Sequence, residues 1–165
     1  MFAVRATPAR VGSGRRQRAL RARRLQFRAG TPSSTQSSPC THPNSLLPGD
    51  PSLILFTNVS MGSEGKKAFL KAASAALASS LGKPQSFCAV SIADEQAMFF
   101  GGSDEPCFLA NVNSIGALNL ENNKKLSASI SALMSEYGIA PNRYYINFFD
   151  VERHMCGYNG ATFAG

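Results

Sequence analysis

Residues 51–149 alternate strand-like and helix-like segments in the order strand, helix, strand, and they do so twice. The strand-like segments are short apolar runs that begin at Pro51, Phe87, Cys107 and Tyr144. The helix-like segments carry apolar residues every three or four positions: Phe69, Ala73, Ala76, Leu77 and Leu81, then Leu126, Ile130, Leu133 and Tyr137. Two strands joined by a crossover helix pair in parallel. The pattern therefore predicts an α+β fold, a β-α-β tandem repeat that forms a four-stranded mixed sheet with two helices on one face.

Capping residues and glycines mark the ends of the two helices. Ser63 is placed to cap the first helix, which we predict over residues 64–81 with Gly82 ending it. The second helix is predicted over residues 121–137. No further segment is left to cover the opposite face of the sheet. We expect Leu53, Leu55 and Tyr145 to leave that face apolar, so that several copies of the chain would associate through it.

The first fifty residues differ sharply in composition from the rest. They hold nine arginines, no lysine and one acidic residue, Asp50, which gives a net charge of +8. Residues 51–165 hold eight basic and nine acidic residues, which gives −1. Residues 1–29 lack acidic residues and a continuous apolar core, a profile typical of a transit peptide for a plastid or mitochondrion. Residues 30–50 are rich in Ser, Thr and Pro and indicate a disordered linker. The chain thus divides into an N-terminal extension, 1–50, and a globular domain, 51–165.

Other interpretations of the extension remain open. It could be a retained disordered arm, a tether to nucleic acid or acidic membranes, or an upstream stretch wrongly included by gene prediction. Without a transit function the protein would be cytoplasmic, or secreted without a signal peptide.

Several classes of function are disfavoured for the globular domain. Its near-neutral charge provides no basic face for nucleic acid. No apolar run approaches the roughly 18 residues of a membrane span. The cysteines and histidines have neither the spacing of a zinc site nor that of a redox pair: Cys40, Cys88, Cys107 and Cys156, with His42 and His154. We therefore expect no metal and no cofactor.

Six motifs occur in order along residues 51–165. They are the Pro51-led strand ending Thr57-Asn58-Val59, Gly82-Lys83-Pro84, the run from Phe100 to Cys107, Ser114-Ile115-Gly116, the run from Tyr145 to Asp150, and Gly157-Tyr158-Asn159 followed by Thr162-Phe163-Ala164. In this order they closely resemble the macrophage migration inhibitory factor and D-dopachrome tautomerase family. The resemblance covers the whole globular domain and none of the extension.

The resemblance implies a homotrimer whose active sites lie at subunit boundaries. It implies a keto–enol tautomerase, an isomerase of the phenylpyruvate tautomerase or dopachrome isomerase type, acting on small aromatic 2-oxo acids. Pro51 would be the general base, but only as the first residue, because the nitrogen of an internal proline is an amide without basicity. The alternative is a non-catalytic, cytokine-like or chaperone-like protein of the same fold that binds a protein receptor.

The resemblance also implies the other site residues. Lys83 would pair with the substrate carboxylate, Ser114 and Ile115 would form the pocket wall, and Tyr145 and Asn147 would come from the neighbouring subunit. Each has an ordinary structural alternative. Pro51 could simply be the first residue of a strand, and Lys83 could stabilise the end of a helix through the helix dipole. The remaining residues could be ordinary strand and core positions.

Three features depart from the family pattern. Cys107-Phe108-Leu109-Ala110 stands where mammalian members have Cys-x-x-Cys, so the thiol oxidoreductase activity proposed for that motif should be absent. Tyr158 replaces the usual tryptophan, and Cys156 stands where an aliphatic residue is common, so the substrate preference should differ. The extension is the third departure, because it would block Pro51 if retained.

Overall fold

The computed structural model describes residues 50–165. The predicted transit peptide and most of the predicted linker lie outside the described residues. In chain order these residues form β1 (Ser52–Thr57), α1 (Gly62–Leu81), β2 (Ala89–Ala93), β3 (Phe108–Ser114), α2 (Leu120–Ser135), β4 (Tyr144–Asp150), β5 (Gly157–Tyr158) and β6 (Ala161–Thr162). No helix of this part of the chain is long and apolar enough to cross a membrane.

Strands β1 to β4 form one mixed sheet in the order β2-β1-β3-β4. Each half of the repeat pairs its two strands in parallel, β1 with β2 and β3 with β4, and the halves join through the antiparallel pair β1–β3. Both helices and alternate residues of the strands form one core, which includes Leu53 of β1, Val112 of β3 and Ile130 of α2, each 0% exposed. The predicted α+β fold, with two helices on a four-stranded mixed sheet, is confirmed.

The assignment of β1 residues to the two faces of the sheet was wrong. Leu53 and Leu55 point into the helix-covered core, and both are 0% exposed. The opposite face presents Ile54 and Phe56 instead, together with Tyr145, as neighbouring strand residues alternate between faces. An apolar patch is present on that face as predicted, but it is built from the other parity of β1.

The helix starts also differ from prediction. Ser63 lies inside α1, which begins at Gly62 without a side-chain cap. A carboxylate distant in sequence holds this end: Asp94 accepts hydrogen bonds from the Met61 amide (3.2 Å) and the Lys66 ammonium (3.0 Å). The bond from Lys66 lowers the pKa of Asp94. The second helix does have a local cap, because the Asn119 side chain accepts from the Asn122 amide at 2.9 Å.

The C-terminal hairpin β5–β6 is an element that the sequence analysis did not predict. Its turn residues Asn159 and Gly160 both have positive φ, 53° and 78°. Asparagine followed by glycine is the preferred pair for such two-residue hairpin turns, so the signal was present in the sequence.

Two motif residues prove to be structural. Thr57 Oγ1 donates to the Cys107 carbonyl at 2.8 Å, and the Asn58 side chain accepts from the Cys107 amide at 2.9 Å. They tie the end of β1 to the start of β3. The two central strands are thereby locked in register, which sets the position of Pro51 at the other end of β1.

Candidate functional site

Pro51 lies at the start of the central strand β1 and is less than 2% exposed. Its carbonyl accepts a hydrogen bond from the Ala89 amide at 2.9 Å. Its nitrogen is in an amide bond to Asp50 in this chain. Proline commonly opens strands, because it has no N–H to contribute to the ladder. This position is therefore compatible with a structural proline and with a catalytic one. Pro51 can be catalytic only where the chain begins at it.

Lys83 follows the glycine that ends α1, and only 6% of the residue is exposed. Its ammonium does not bind the carbonyls at the helix end but donates to the Ile115 carbonyl at 2.6 Å. Burial lowers the pKa of Lys83, while the charges of Asp50 and Asp150 oppose that shift. Because this is its one side-chain hydrogen bond within residues 50–165, the ammonium has two donors left for an incoming anion.

Ser114 and Ile115 lie at the end of β3, and both are almost fully buried. Asp150 Oδ1 accepts from the Gly116 amide at 2.8 Å, and the Ser114 carbonyl accepts from the Val151 amide at 3.0 Å. These bonds hold the chain that carries the Ile115 carbonyl opposite Lys83. The Ser114 hydroxyl oxygen is buried and has no hydrogen-bond partner among residues 50–165.

Tyr145 and Asn147 share the open face of β4, as their spacing predicted. Tyr144 and Phe148 point the other way and pack against the core. β3 lies between β4 and β1, and Tyr145 is level with Phe56 at the far end of β1. From strand spacing and rise, Tyr145 is roughly 15–20 Å from Pro51 of the same chain. The structure brings Lys83, Ser114 and Ile115 towards Pro51 but not Tyr145 or Asn147.

Two further neighbours of the site, Cys156 and Asp150, were noted in the sequence but not predicted as site residues. Cys156 donates its thiol hydrogen to Asp50 Oδ2 at 2.8 Å. Burial, with the hydrogen bond and negative charge of Asp50, raises the pKa of Cys156 to about 11. Asp150 is the second: it ends the motif that starts at Tyr145, and the structure places it opposite Ser114.

Three aromatic rings form a wall. One of them follows Lys83 in the sequence, and the other two belong to the C-terminal segment. Tyr158 stacks on Phe163 with ring centroids 5.4 Å apart, and it meets the edge of Phe87 at 6.3 Å. Tyr158 is 60% exposed, so the wall is open to a ligand on one side. A protein surface made of aromatic rings and a buried cation best recognises a ligand that carries a flat aromatic group.

The site combines a buried cation with aromatic rings. Within residues 50–165, no cluster of three or more His, Cys, Asp or Glu side chains could hold a metal ion. The site contains a buried ammonium and a buried proline, and the aromatic wall is linked to it through Cys156, which lies two residues before Tyr158 and is hydrogen bonded to Asp50. These residues can bind and orient an aromatic acid, and a basic nitrogen at Pro51 would add proton transfer.

Comparisons with known proteins agree with this architecture. The chain is 36% identical over 115 residues to "Macrophage migration inhibitory factor" of Mus musculus, covering 69% of this chain and 99% of that one. It is 39% identical over 114 residues to a homolog from Brugia malayi, covering 68% of this chain and 98% of the other. The solved "Macrophage migration inhibitory factor Toxoplasma gondii" superposes with a TM-score of 0.65 at 32% identity, covering 68% of this chain and 99% of that chain. The profile of the family described as Macrophage migration inhibitory factor (MIF) matches residues 50–164, and the chain therefore belongs to this family.

Proposed function

We propose that the globular domain, once Pro51 is its first residue, is a keto–enol tautomerase for small aromatic 2-oxo acids such as phenylpyruvate. The observation that carries the proposal is the buried Lys83 ammonium near Pro51. Within residues 50–165 it makes one hydrogen bond, so two of its N–H groups can donate to a carboxylate. Membership of the family supports it, because the resemblance of residues 51–165 to this family implies a tautomerase.

The proposed mechanism needs one basic group. A free proline amine has a pKa near 8, and a buried position beside a cation lowers the pKa of such an amine towards neutrality. The amine would take a proton from the carbon next to the substrate carbonyl and return it at the other end of the enol. Lys83 would hold the carboxylate, and the ring would lie against Tyr158 and Phe163. No cofactor takes part in this scheme.

The proposal includes a homotrimer, because one copy lacks part of the expected site. Tyr145 is 65% exposed and far from Pro51 of its own chain. A neighbouring copy packed on the open sheet face would bring its Tyr145 to the substrate ring and its Asn147 to the carboxylate. That contact would also cover the exposed apolar residues of the face, Ile54, Phe56, Leu109 and Phe149.

Removal of residues 1–50 belongs to the same proposal, since the amide nitrogen of an internal proline is not basic. The arginine-rich composition of the extension favours a plastid or mitochondrial location for the mature protein. The mouse relative is 99% covered by a match of 115 residues, which supports independent folding of the domain without an extension.

The test of the function compares two purified chains, the full chain and the chain that begins at Pro51. We expect the shorter chain to interconvert the keto and enol forms of phenylpyruvate, measured by ultraviolet absorbance, and the full chain to lack this activity as long as its bond to Pro51 is intact. Mass spectrometry of both samples confirms their first residues. Absence of turnover in a folded chain beginning at Pro51 would favour the non-catalytic, receptor-binding alternative.

The trimer can be tested through the open face of the sheet. We expect Phe56→Glu to convert a trimer into monomers, because Phe56 is 40% exposed in one copy and would be buried between copies. Sedimentation or light scattering of the chain beginning at Pro51 measures the change. Lys67→Glu on the outer face of α1 is the matched control and should leave the trimer intact. A parent chain that is monomeric at all concentrations would exclude the shared site.

A further inference from the structure

The peptide bond before Pro51 is poorly placed for a protease. Pro51 is less than 2% exposed and its carbonyl is hydrogen bonded to Ala89. The residues that follow are in β1, which has neighbours on both sides. Endoproteases bind extended and accessible segments, so an outside enzyme could cut here only after the central strand had opened. Cleavage of this peptide bond in the folded chain would have to use chemical groups that already lie beside it.

Asp50 supplies a nucleophile for that bond. Its carboxylate is separated from its own carbonyl carbon by the β methylene group and the α carbon, so attack there closes a five-membered ring with little loss of freedom. Oδ2 is held by the Cys156 thiol at 2.8 Å. Oδ1 is buried and has no hydrogen-bond partner among residues 50–165. Because no donor among residues 50–165 holds this oxygen, it is the carboxylate oxygen that we assign to the attack.

The leaving group and a proton source are also present. The nitrogen of Pro51 would leave as a secondary amine, which accepts a proton readily. Lys83 is a buried ammonium whose charge interacts with that of Asp50. Within residues 50–165 its ammonium makes one hydrogen bond, to the Ile115 carbonyl, which leaves two N–H groups to donate. A nucleophile and an amine leaving group thus belong to the peptide bond itself, and Lys83 is an acid close enough to interact with the charge of Asp50.

We infer that the folded chain cuts its own Asp50–Pro51 bond. Asp50 Oδ1 forms a bond to the Asp50 carbonyl carbon, and the C–N bond to Pro51 breaks. The nitrogen takes a proton from the Lys83 ammonium, and Asp50 becomes a cyclic anhydride. One water molecule then opens the anhydride to two carboxylic groups and restores the lysine proton. The net reaction is hydrolysis of one peptide bond, with no change of oxidation state.

The experiment follows the mass of the purified full chain over several days at neutral pH. We expect one cut, giving a fragment that begins at Pro51 and a partner that ends at Asp50. Asp50→Ala should abolish the cut. Asp50→Glu should slow it at least about tenfold, because its ring is larger and closes less readily. The exposed Glu105–Pro106 bond of the same chain is an internal reference and should stay intact. Added hydroxylamine should mark Asp50 as a hydroxamate by capturing the anhydride.

Two results would overturn the inference. One is a full chain that keeps its mass under conditions in which circular dichroism shows it folded. The other is equal cutting in the parent and in Asp50→Ala, which would indicate a contaminating protease. Urea-unfolded full chain at the same pH should not be cut, since the arrangement of Lys83 and Cys156 is then lost. The readout is a mass, so it is independent of whether the released chain turns over phenylpyruvate.

Discussion

Replacing Pro51 by glycine in the chain that begins there is expected to lower kcat/KM for phenylpyruvate by about 10²–10⁴-fold, the usual contribution of a positioned general base. The ring fixes the proline nitrogen at the buried start of β1. A glycine amine rotates freely and is better hydrated, so it is held less well against the substrate carbon. Steady-state kinetics by ultraviolet absorbance measure the change.

The pH dependence distinguishes loss of the base from general damage. In the parent chain kcat/KM should fall below the pKa of the proline amine, because the protonated amine cannot take a proton. In the glycine variant this acid limb should move towards the ordinary pKa of an amine, near 8. A variant with unchanged kcat/KM and an unchanged pH profile would show that Pro51 is only a strand-opening residue.

Lys83→Met is expected to raise KM for phenylpyruvate by roughly 10–100-fold, the worth of a charge-assisted hydrogen bond to a carboxylate. The fold should persist. Methionine removes the cost of a buried charge while leaving the Ile115 carbonyl without its donor, so the free energy of unfolding should change by less than about 1 kcal/mol. The methyl ester of the same acid lacks the carboxylate charge, and its KM should hardly change. Lys71→Met on the exposed face of α1 is the matched control.

The lowered pKa of Lys83 also predicts how KM depends on pH. Because burial lowers the pKa of Lys83 in the folded chain, its charge is lost at a pH below the ordinary value of 10.5. KM for the acid should therefore rise with pH in that window, and KM for the ester should not. Between the lowered value and 10.5 the unfolded chain binds more protons, so the contribution of Lys83 to stability increases with pH. An ester that depends on Lys83 as strongly as the acid would contradict carboxylate binding.

The sequence predicted those parts of the fold that depend on periodicity. Helical spacing identified both helices, and the strand-helix-strand order predicted the parallel pairs. Periodicity in a short apolar strand does not indicate which parity faces the core, because β1 has apolar residues on both faces. Leu53 and Leu55 were therefore assigned to the wrong side. The start of α1 was missed for a different reason, since its carboxylate comes from Asp94 after β2 and not from the local Ser63.

The sequence predicted which residues belong to the site but not how they contact one another. Lys83 and Ile115 are far apart in sequence, and their 2.6 Å hydrogen bond follows from the packing of the end of α1 beside the end of β3. The contact of Asp50 with Cys156 joins the last residue of the extension to the C-terminal segment. No local pattern links two such positions. The roles of Pro51, Tyr145 and Asn147 stay predictions, because they depend on the chain terminus and on a second copy.

The hydrogen bonding of Pro51 has a consequence for maturation. Proline has no N–H, so β1 loses no backbone hydrogen bond when the peptide bond before it is broken, and the bond to Ala89 remains. Cleavage would change one amide into one amine and leave the register of the sheet unaltered. Precursor and mature domain would then be nearly superimposable, so activation would be a change of chemical composition and not of conformation.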